Sequence, residues 1–415
     1  MSWKETCPMT ERMRFLSELL EGEREMSELC RLYGISRKTG YKWRDRYERG
    51  GPGALEDRSH ARLSQAHAID EPTLSRLVQV RRAHPTWGPR KLLAWLQAHD
   101  GSGPWPAAST VGDILRRNGL VEPRRRRRPT VPRAPSALVQ PEAPNDLWCT
   151  DFKGQFRMQD GRYCYPLTLT DAVSRYLLVC QGVHTPSAEQ VKPWLERAFR
   201  QYGLPTVIRS DNGAPFASNG IGGLSQLSIW WVKLGIVPEL IEPGCPQQNG
   251  RHERMHRTLK NEATRPAAAD LRAQQRKFDQ FTEEFNAERP HEALLQRPPQ
   301  SVYQASLRPY PKRLPPIEYP QGYQVRQVRQ SGEIKFGGRL AFVGQALWHE
   351  PIGLVQIDND LWQLYFSMVP LGYLDTYRMK VHPIARRRKN RLQVRGAAPP
   401  APPAKFEKVL PISPV

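Results

Sequence analysis

Three acidic side chains, Asp151, Asp211 and Glu253, stand where a carboxylate could do chemistry. Asp151 lies inside the apolar run Trp148-Cys149-Thr150-Asp151-Phe152. An ionised carboxylate in such a strand is costly unless it is paired or bound to a cation. Asp211 follows Val207-Ile208-Arg209-Ser210 and precedes Asn212-Gly213-Ala214-Pro215, where a strand gives way to a turn. That is where α/β sheets place their sites. Glu253 follows the Gly/Pro-rich loop Pro243 to Gly250, at the start of a helix expected from Asn249 or Gly250. Hard oxygen donors without cysteine suit Mg²⁺ or Mn²⁺. Three carboxylates can hold two such ions about 3.5–4 Å apart, the arrangement used in phosphodiester cleavage and transfer. Taken singly, each carboxylate is weak evidence, since an ordinary salt bridge accounts for most acidic residues.

The surrounding pattern must position these groups. Leu147 to Phe156, Tyr163 to Asp171 and Arg175 to Val183 read as strands, followed by a helix from Ser187 to Tyr202. Thr206–Ser210 reads as a short buried strand, a helix should end near Leu234-Gly235, and Ile236 to Ile241 is another strand. Hairpin strands followed by helix–strand alternation make a mixed sheet covered by helices, hence an α/β core. Between Gly332 and Met379, four short runs suggest a small β-barrel: Ile334–Phe336, Leu340–Val343, Ile352–Ile357 and Trp362–Phe366. The 39 prolines cluster and mark joints. The resulting division is 1–60, helix-turn-helix; 61–121, a second such domain; 122–146, a basic Pro/Arg linker; 147–307, the α/β core. It continues with 308–331, a linker; 332–383, the small β domain; and 384–415, a basic then proline-rich disordered tail.

The 415 residues carry 62 Lys and Arg against 41 Asp and Glu, a formal charge of +21 that calls for a polyanionic partner. At the front, Thr10 is expected to cap a helix bearing Met13, Leu16 and Leu20. A helix over Met26–Tyr33, a turn at Gly34-Ile35 and a helix capped by Ser36 follow. This third helix carries Arg37, Lys38, Lys42 and Arg44, as in a helix-turn-helix whose second helix enters the major groove. A similar unit runs from Trp87-Gly88-Pro89-Arg90 to Leu120. A helical bundle with a solvated basic face is the alternative for both. Arg124, Arg125, Arg126, Arg127 and Arg128, and the cluster Arg386-Arg387-Arg388-Lys389, read as phosphate binders by charge alone, without sequence preference, or else as a solvated linker and tail. No apolar run reaches a membrane span, and the N-terminus shows no apolar signal core. The six cysteines form no CxxC pair, so a cytoplasmic, nucleoid-associated protein is expected.

In context, the acidic residues resemble those of the integrase-core (DDE) transposases of bacterial insertion sequences, relatives of retroviral integrase. The motifs are Trp148-x-x-Asp151-Phe152, Arg209-Ser210-Asp211-Asn212-Gly213-x-Pro215-Phe216, Pro246-Gln247-x-Asn249-Gly250-x-x-Glu253-Arg254 with Arg257-Thr258-Leu259-Lys260, and Phe285-Asn286-x-x-Arg289-Pro290-His291. The resemblance implies an RNase H-like core with a mixed five-stranded sheet. It also implies that Asp151, Asp211 and Glu253 are the catalytic triad, holding two Mg²⁺ or Mn²⁺ ions. Lys260, two helical turns beyond Glu253, would reach a DNA phosphate with Arg254 and Arg257, or else be a solvated lysine paired with Glu253. Asn249 and Gln247 would contact the DNA end or cap the loop. Asp171, which resembles a family position, is expected to be structural or to support the ligands from behind, and His291 to be structural or close to DNA rather than a ligand. The implied activity is 3′ cleavage at element ends and joining of the 3′-OH to target DNA, by a dimer or larger assembly on double-stranded DNA (terminal inverted repeats and target).

Two features depart from this pattern. The 41 residues between Asp211 and Glu253 exceed the family's commonest spacing, with the surplus in Ala217 to Trp231. His252-Glu253-Arg254-Met255-His256 is also a literal H-E-x-x-H zinc-protease match. No third zinc ligand is evident beside it, and Arg254 puts a cation between the two histidines.

Overall fold

A computed structural model describes residues 7–57, 69–101, 103–121 and 138–384. The arginine run at 124–128, the basic cluster at 386–389 and the proline-rich tail lie outside the described residues. The chain divides into two compact units, 1–70 and 71–415.

In the first unit, α1 (Pro8–Glu21), α2 (Met26–Leu32) and α3 (Arg37–Gly50) enclose Phe15, Leu16, Leu29, Cys30, Trp43 and Leu55. Cys7 caps α1, accepting from the Thr10 amide, and Pro8 fills a first-turn position that needs no donor. Thr10, expected as the cap, therefore lies one turn inside. Gly34 takes a left-handed φ of +66° in the turn, and the Ser36 hydroxyl accepts from the Thr39 amide at 3.2 Å. A Cβ on Gly40 would stand 2.6 Å from the Cys30 sulfur, so only glycine lets α2 and α3 cross this closely.

The second unit opens with three helices, α4 (Glu71–Ala83), α5 (Pro89–His99) and α6 (Ala108–Arg117). The core follows as β1 (Leu147–Phe152), β2 (Phe156–Arg157), β3 (Tyr163–Asp171), β4 (Leu177–Val183), α7 (Ala188–Tyr202), β5 (Val207–Ser210), α8 (Gln226–Lys233), β6 (Val237–Leu240), α9 (Gly250–Glu262) and α10 (Leu271–Glu283). The main sheet runs β4-β3-β1-β5-β6, antiparallel over its first three strands and parallel from β1 to β6. The two-residue β2 adds a short pairing to β3 beside these five strands.

The period of two along β3 sorts the sheet's faces. Leu167 and Leu169 join Trp148, Val191, Phe199, Ile208, Trp230 and Trp231 on the side of α7 and α8. Thr168 and Thr170 face α9. On that second side Met255, Leu259, Phe278 and Phe285 pack with Cys164 and Cys180. The outward backbone groups of the edge strand β4 are closed by side-chain amides. Asn286 bonds both the N–H and C=O of Leu177, and Gln275 bonds the Gly182 N–H and the Cys180 C=O. An edge capped in this way offers no template for another strand.

The three leading helices of this unit dock on the end of the core. Trp87 is fully buried and stacked on His84, and the Arg289 guanidinium lies 6.0 Å over its ring. His84 Nδ1 meets Glu284 at 2.9 Å, Thr86 bonds Glu262, and Lys91 donates to the Pro290 carbonyl. Trp87–Lys91 is thus a clamp onto residues 284–292, and the surface this unit leaves exposed on α6 is Ser109, Thr110, Asp113, Arg116 and Arg117.

The C-terminal region is β-rich, but no barrel closes. β7 (Gln324–Gln327), β10 (Pro351–Asp358), β11 (Leu361–Phe366), β12 (Val369–Asp375) and β13 (Lys380–Pro383) form an open antiparallel sheet in the order β13-β12-β11-β10-β7. β8 (Glu333–Phe336) and β9 (Arg339–Phe342) pair only with each other. The surplus segment before Glu253 gains a reason here. Leu224, Ile229 and Val232 belong to the same core as Ile352, Leu354, Leu364, Phe366 and Leu374, and Lys233 pairs with Glu350 at 2.7 Å. The extra residues build a platform for the C-terminal sheet.

Candidate active site

β1 and β5 run parallel, with Cys149 opposite Arg209, so Asp151 and Asp211 each lie two residues further along neighbouring strands. Asp151 shares its face with Thr168, its partner across the β1–β3 ladder. Its Oδ1 accepts from the Phe152 amide at 2.7 Å. The Asp211 Oδ1 accepts from the Gly213 amide at 3.1 Å, and a Cβ on residue 213 would come within 3.1 Å of that carboxylate.

Glu253 is exposed on the first turn of α9. What fixes this helix is a buried polar cluster. The Nε2 atoms of His252 and His256 each lie 2.7 Å from the Thr168 hydroxyl, and His252 Nδ1 lies 2.7 Å from the Thr170 hydroxyl. Thr168 in turn donates to the Asp151 carbonyl at 2.9 Å. The network is satisfied with both imidazoles neutral and carrying their proton on Nε2. Burial holds them there: the His252 pKa falls to about 3, and that of His256 falls through burial, with the His252 and Lys153 charges adding. The two histidines of the H-E-x-x-H match are therefore spent on the sheet, while Glu253 points away from them to solvent.

The Asp151 carboxyl is pushed up to about 7. Burial is the main cause and the Asp211 charge the next, with Glu253 adding to both. Asp151 thus feels the negative charges of Asp211 and Glu253, as a carboxylate does beside other ligands of a hard cation. Among the described residues, no three His, Cys, Asp or Glu side chains already stand at metal-holding distance. The all-oxygen donor set fits a hard divalent ion. His256 Nδ1 lies 3.9 Å from Asp151 Oδ2, beyond hydrogen-bond reach.

The other sequence candidates divide. Arg254, Arg257 and Lys260 are exposed along α9 and form no ion pair among the described residues, so Lys260 is not held by Glu253. Lys153 lies close enough to Lys260 for its pKa to fall, through burial first and the Lys260 charge second. Gln247 is exposed, whereas Asn249 is buried with its Oδ1 unpartnered. The loop is closed by Gln248 instead, which accepts from the Glu242 amide. Asp171 is structural: its oxygens take the amides of Asn145, Val173 and Ser174 and the Ser174 hydroxyl. His291 is partly buried, and that burial, with the nearby cations Lys91, Arg289 and Arg175 adding, takes its pKa down to about 3. In the first unit Arg37, Lys38 and Lys42 are exposed on α3, while Arg44 is engaged by Asp45 and Glu48. Sequence reasoning passed over Arg175 and Arg251; for Arg251 the one signal was that the cations Arg251, Arg254, Arg257 and Lys260 outnumber the single acid among them, Glu253.

The fold and site define an RNase H-like catalytic core behind helix-turn-helix modules. Residues 141–246 and 234–299 match integrase core domain models, 11–63 a helix-turn-helix domain and 39–115 a homeodomain-like domain. Over 226 residues the chain is 28% identical to an insertion element IS407 protein of Burkholderia multivorans, covering 54% of this chain and 78% of that one. It is 28% identical over 229 residues to an insertion element IS476 protein of Xanthomonas euvesicatoria, covering 62% of that protein. Among solved structures, a chain of the simian T-cell lymphotropic virus intasome aligns with 71% of this chain at TM-score 0.35 and 15% identity. The HTLV-2 integrase catalytic core, solved with magnesium, aligns with 39% at TM-score 0.31 and 14% identity. The integrase core matches over 141–299 and the similarity to insertion-element proteins support an integrase-like (DDE) insertion-sequence transposase. Among the described residues no helix is long and apolar enough to cross a membrane.

Proposed function

We propose that this protein cuts and joins DNA at the ends of its own insertion sequence, with Asp151, Asp211 and Glu253 as the catalytic triad. The observation that carries the reading is the placement of Asp151 on β1 and of Asp211 just past the end of the parallel neighbour β5, with Asp151 raised to about 7 by burial and its acidic neighbours. The three carboxylates would hold two Mg²⁺ or Mn²⁺ ions, which supply activation of the attacking oxygen and charge neutralisation at the leaving oxygen. In the first step a water oxygen bonds to phosphorus and the bond to the element's 3′ oxygen breaks, leaving a free 3′-OH. In the second, that 3′ oxygen bonds to a target phosphorus and displaces a target 3′ oxygen. Neither step needs a covalent enzyme–DNA intermediate.

The chain's own residues bind and align the strands. Arg37, Lys38 and Lys42 on α3 face the inverted repeat, with Arg44 turned to its own acids. Arg254, Arg257 and Lys260 on α9 take backbone phosphates beside the triad, and Gln247 and Asn249 border the DNA end from the loop. Arg124 to Arg128 add sequence-independent attraction in the linker. Two ends must be held at once, so the working form is a dimer or larger on DNA in the nucleoid. The domain limits given above are part of this reading. Strand transfer of an end-bearing duplex with Mg²⁺ tests it: Asp211→Asn should abolish joining, and equal joining by wild type and variant would remove the two-metal mechanism.

A further inference from the structure

Arg175 sits at the tip of the β3–β4 turn with a left-handed φ of +66°, and its guanidinium donates to the Ala172 carbonyl at 2.6 Å. Arg251, on the first turn of α9, donates to that same carbonyl at 3.2 Å. Two guanidiniums on one oxygen lie within a few ångströms of each other. Arg254 follows Arg251 by three residues, so it projects from the same side of α9. None of the three forms an ion pair among the described residues. The nearby Asp171 carboxylate is fully occupied by three amides and the Ser174 hydroxyl. Crowded cations normally disperse or recruit acids. Here burial, then the charges of Arg251 and Arg254, bring the Arg175 pKa down to about 10, so the crowding is felt. Such a group of fork-shaped donors around one weak acceptor matches a tetrahedral oxyanion.

We propose that Arg175 and Arg251, with Arg254, form a phosphate-binding site that grips the DNA backbone at the start of the helix carrying Glu253. The proposal rests on the DNA-cutting reading above and adds to it two arginines on separate elements. Its consequence is positional: a phosphate held by both the β3–β4 turn and α9 ties the duplex to the sheet and to the Glu253 helix together.

The test uses the full chain, a short random-sequence duplex and no divalent metal, measuring affinity against salt concentration. Each of Arg175→Gln and Arg251→Gln should weaken binding about tenfold, as for loss of one charge-assisted contact. Each should also flatten the log–log salt slope by about 0.9, and the double variant by about twice that. Thermal melting separates this from a stapling role, because relief of like-charge crowding leaves the free variants at least as stable as wild type. Arg251, exposed on a helix, keeps the test open should the turn variant fold poorly. Wild-type slopes in folded Arg251→Gln, or a lowered melting point with DNA binding intact, would overturn the proposal alone. A wild-type chain that fails to bind duplex would remove the transposase reading with it.

Discussion

Replacing Asp151 by Asn tests the electrostatics of the site without DNA or catalysis. The folded carboxyl has a pKa near 7, against about 3.9 in an unfolded chain. Below about pH 4 it is protonated in both states and contributes no difference. Between about pH 4 and pH 7 the unfolded chain ionises it while the folded chain keeps the proton, so folded stability falls as pH rises, and above pH 7 the loss is complete. A shift of three units amounts to roughly 4 kcal/mol at most. Asp151→Asn should therefore melt with wild type near pH 4 and several degrees above it near pH 8 without metal. Mg²⁺ should raise the wild-type melting point near pH 8 and leave the variant almost unmoved. The assay is paired thermal denaturation across pH with and without Mg²⁺. A variant that melts level with or below wild type near pH 8 would refute the idea that burial, with the Asp211 charge adding, makes ionised Asp151 unfavourable in the folded chain.

Thr168→Val would strand the Nε2–H groups of His252 and His256 and lose the bond to the Asp151 carbonyl. A loss of about 2–4 kcal/mol in denaturant titration is expected, with DNA joining falling further than DNA binding. Ile229→Asp places a charge in the core shared by α8 and the C-terminal sheet, so limited proteolysis should release residues beyond 308 faster than in wild type. Gly40→Val would drive a side chain into Cys30 and Met26, destabilising the first unit by about 1–3 kcal/mol while the melting of the second is unchanged.

Much of the core was legible because its signals are local. β3 has the expected bounds, Tyr163–Asp171, since an apolar run between Gly161 and a tight turn admits little else. The ends of α7 and the start of α9 fell where Ser187, Gly203 and Gly250 place them. Three C-terminal strands were passed over. β12 carries Pro370 and Gly372, which read as turn residues, yet Pro370 sits at a bulge and a Cβ on Gly372 would strike the His382 carbonyl. Long-range contacts left no local trace. Trp87-Gly88-Pro89 reads as the entry to a DNA-reading unit, but its partners are Glu262, Glu284 and Pro290, some 200 residues distant. The surplus before Glu253 carries no local sign of its partner, because its apolar residues Leu224 and Ile229 pack on the distant C-terminal sheet. Arg44 shows the reverse: Asp45 and Glu48 stood in the same helix, and the sequence alone held enough to see it neutralised.

The central claim is that residues 151, 211 and 253 close on divalent ions beside DNA. Calorimetric titration of Mn²⁺ into the full chain loaded with an end-bearing duplex reads this directly. Two ions per site are expected for wild type, as two-metal centres hold, with at least one lost in each of Asp151→Asn, Asp211→Asn and Glu253→Gln. Wild type that takes up no Mn²⁺, or the same stoichiometry and affinity in all three variants, would contradict it.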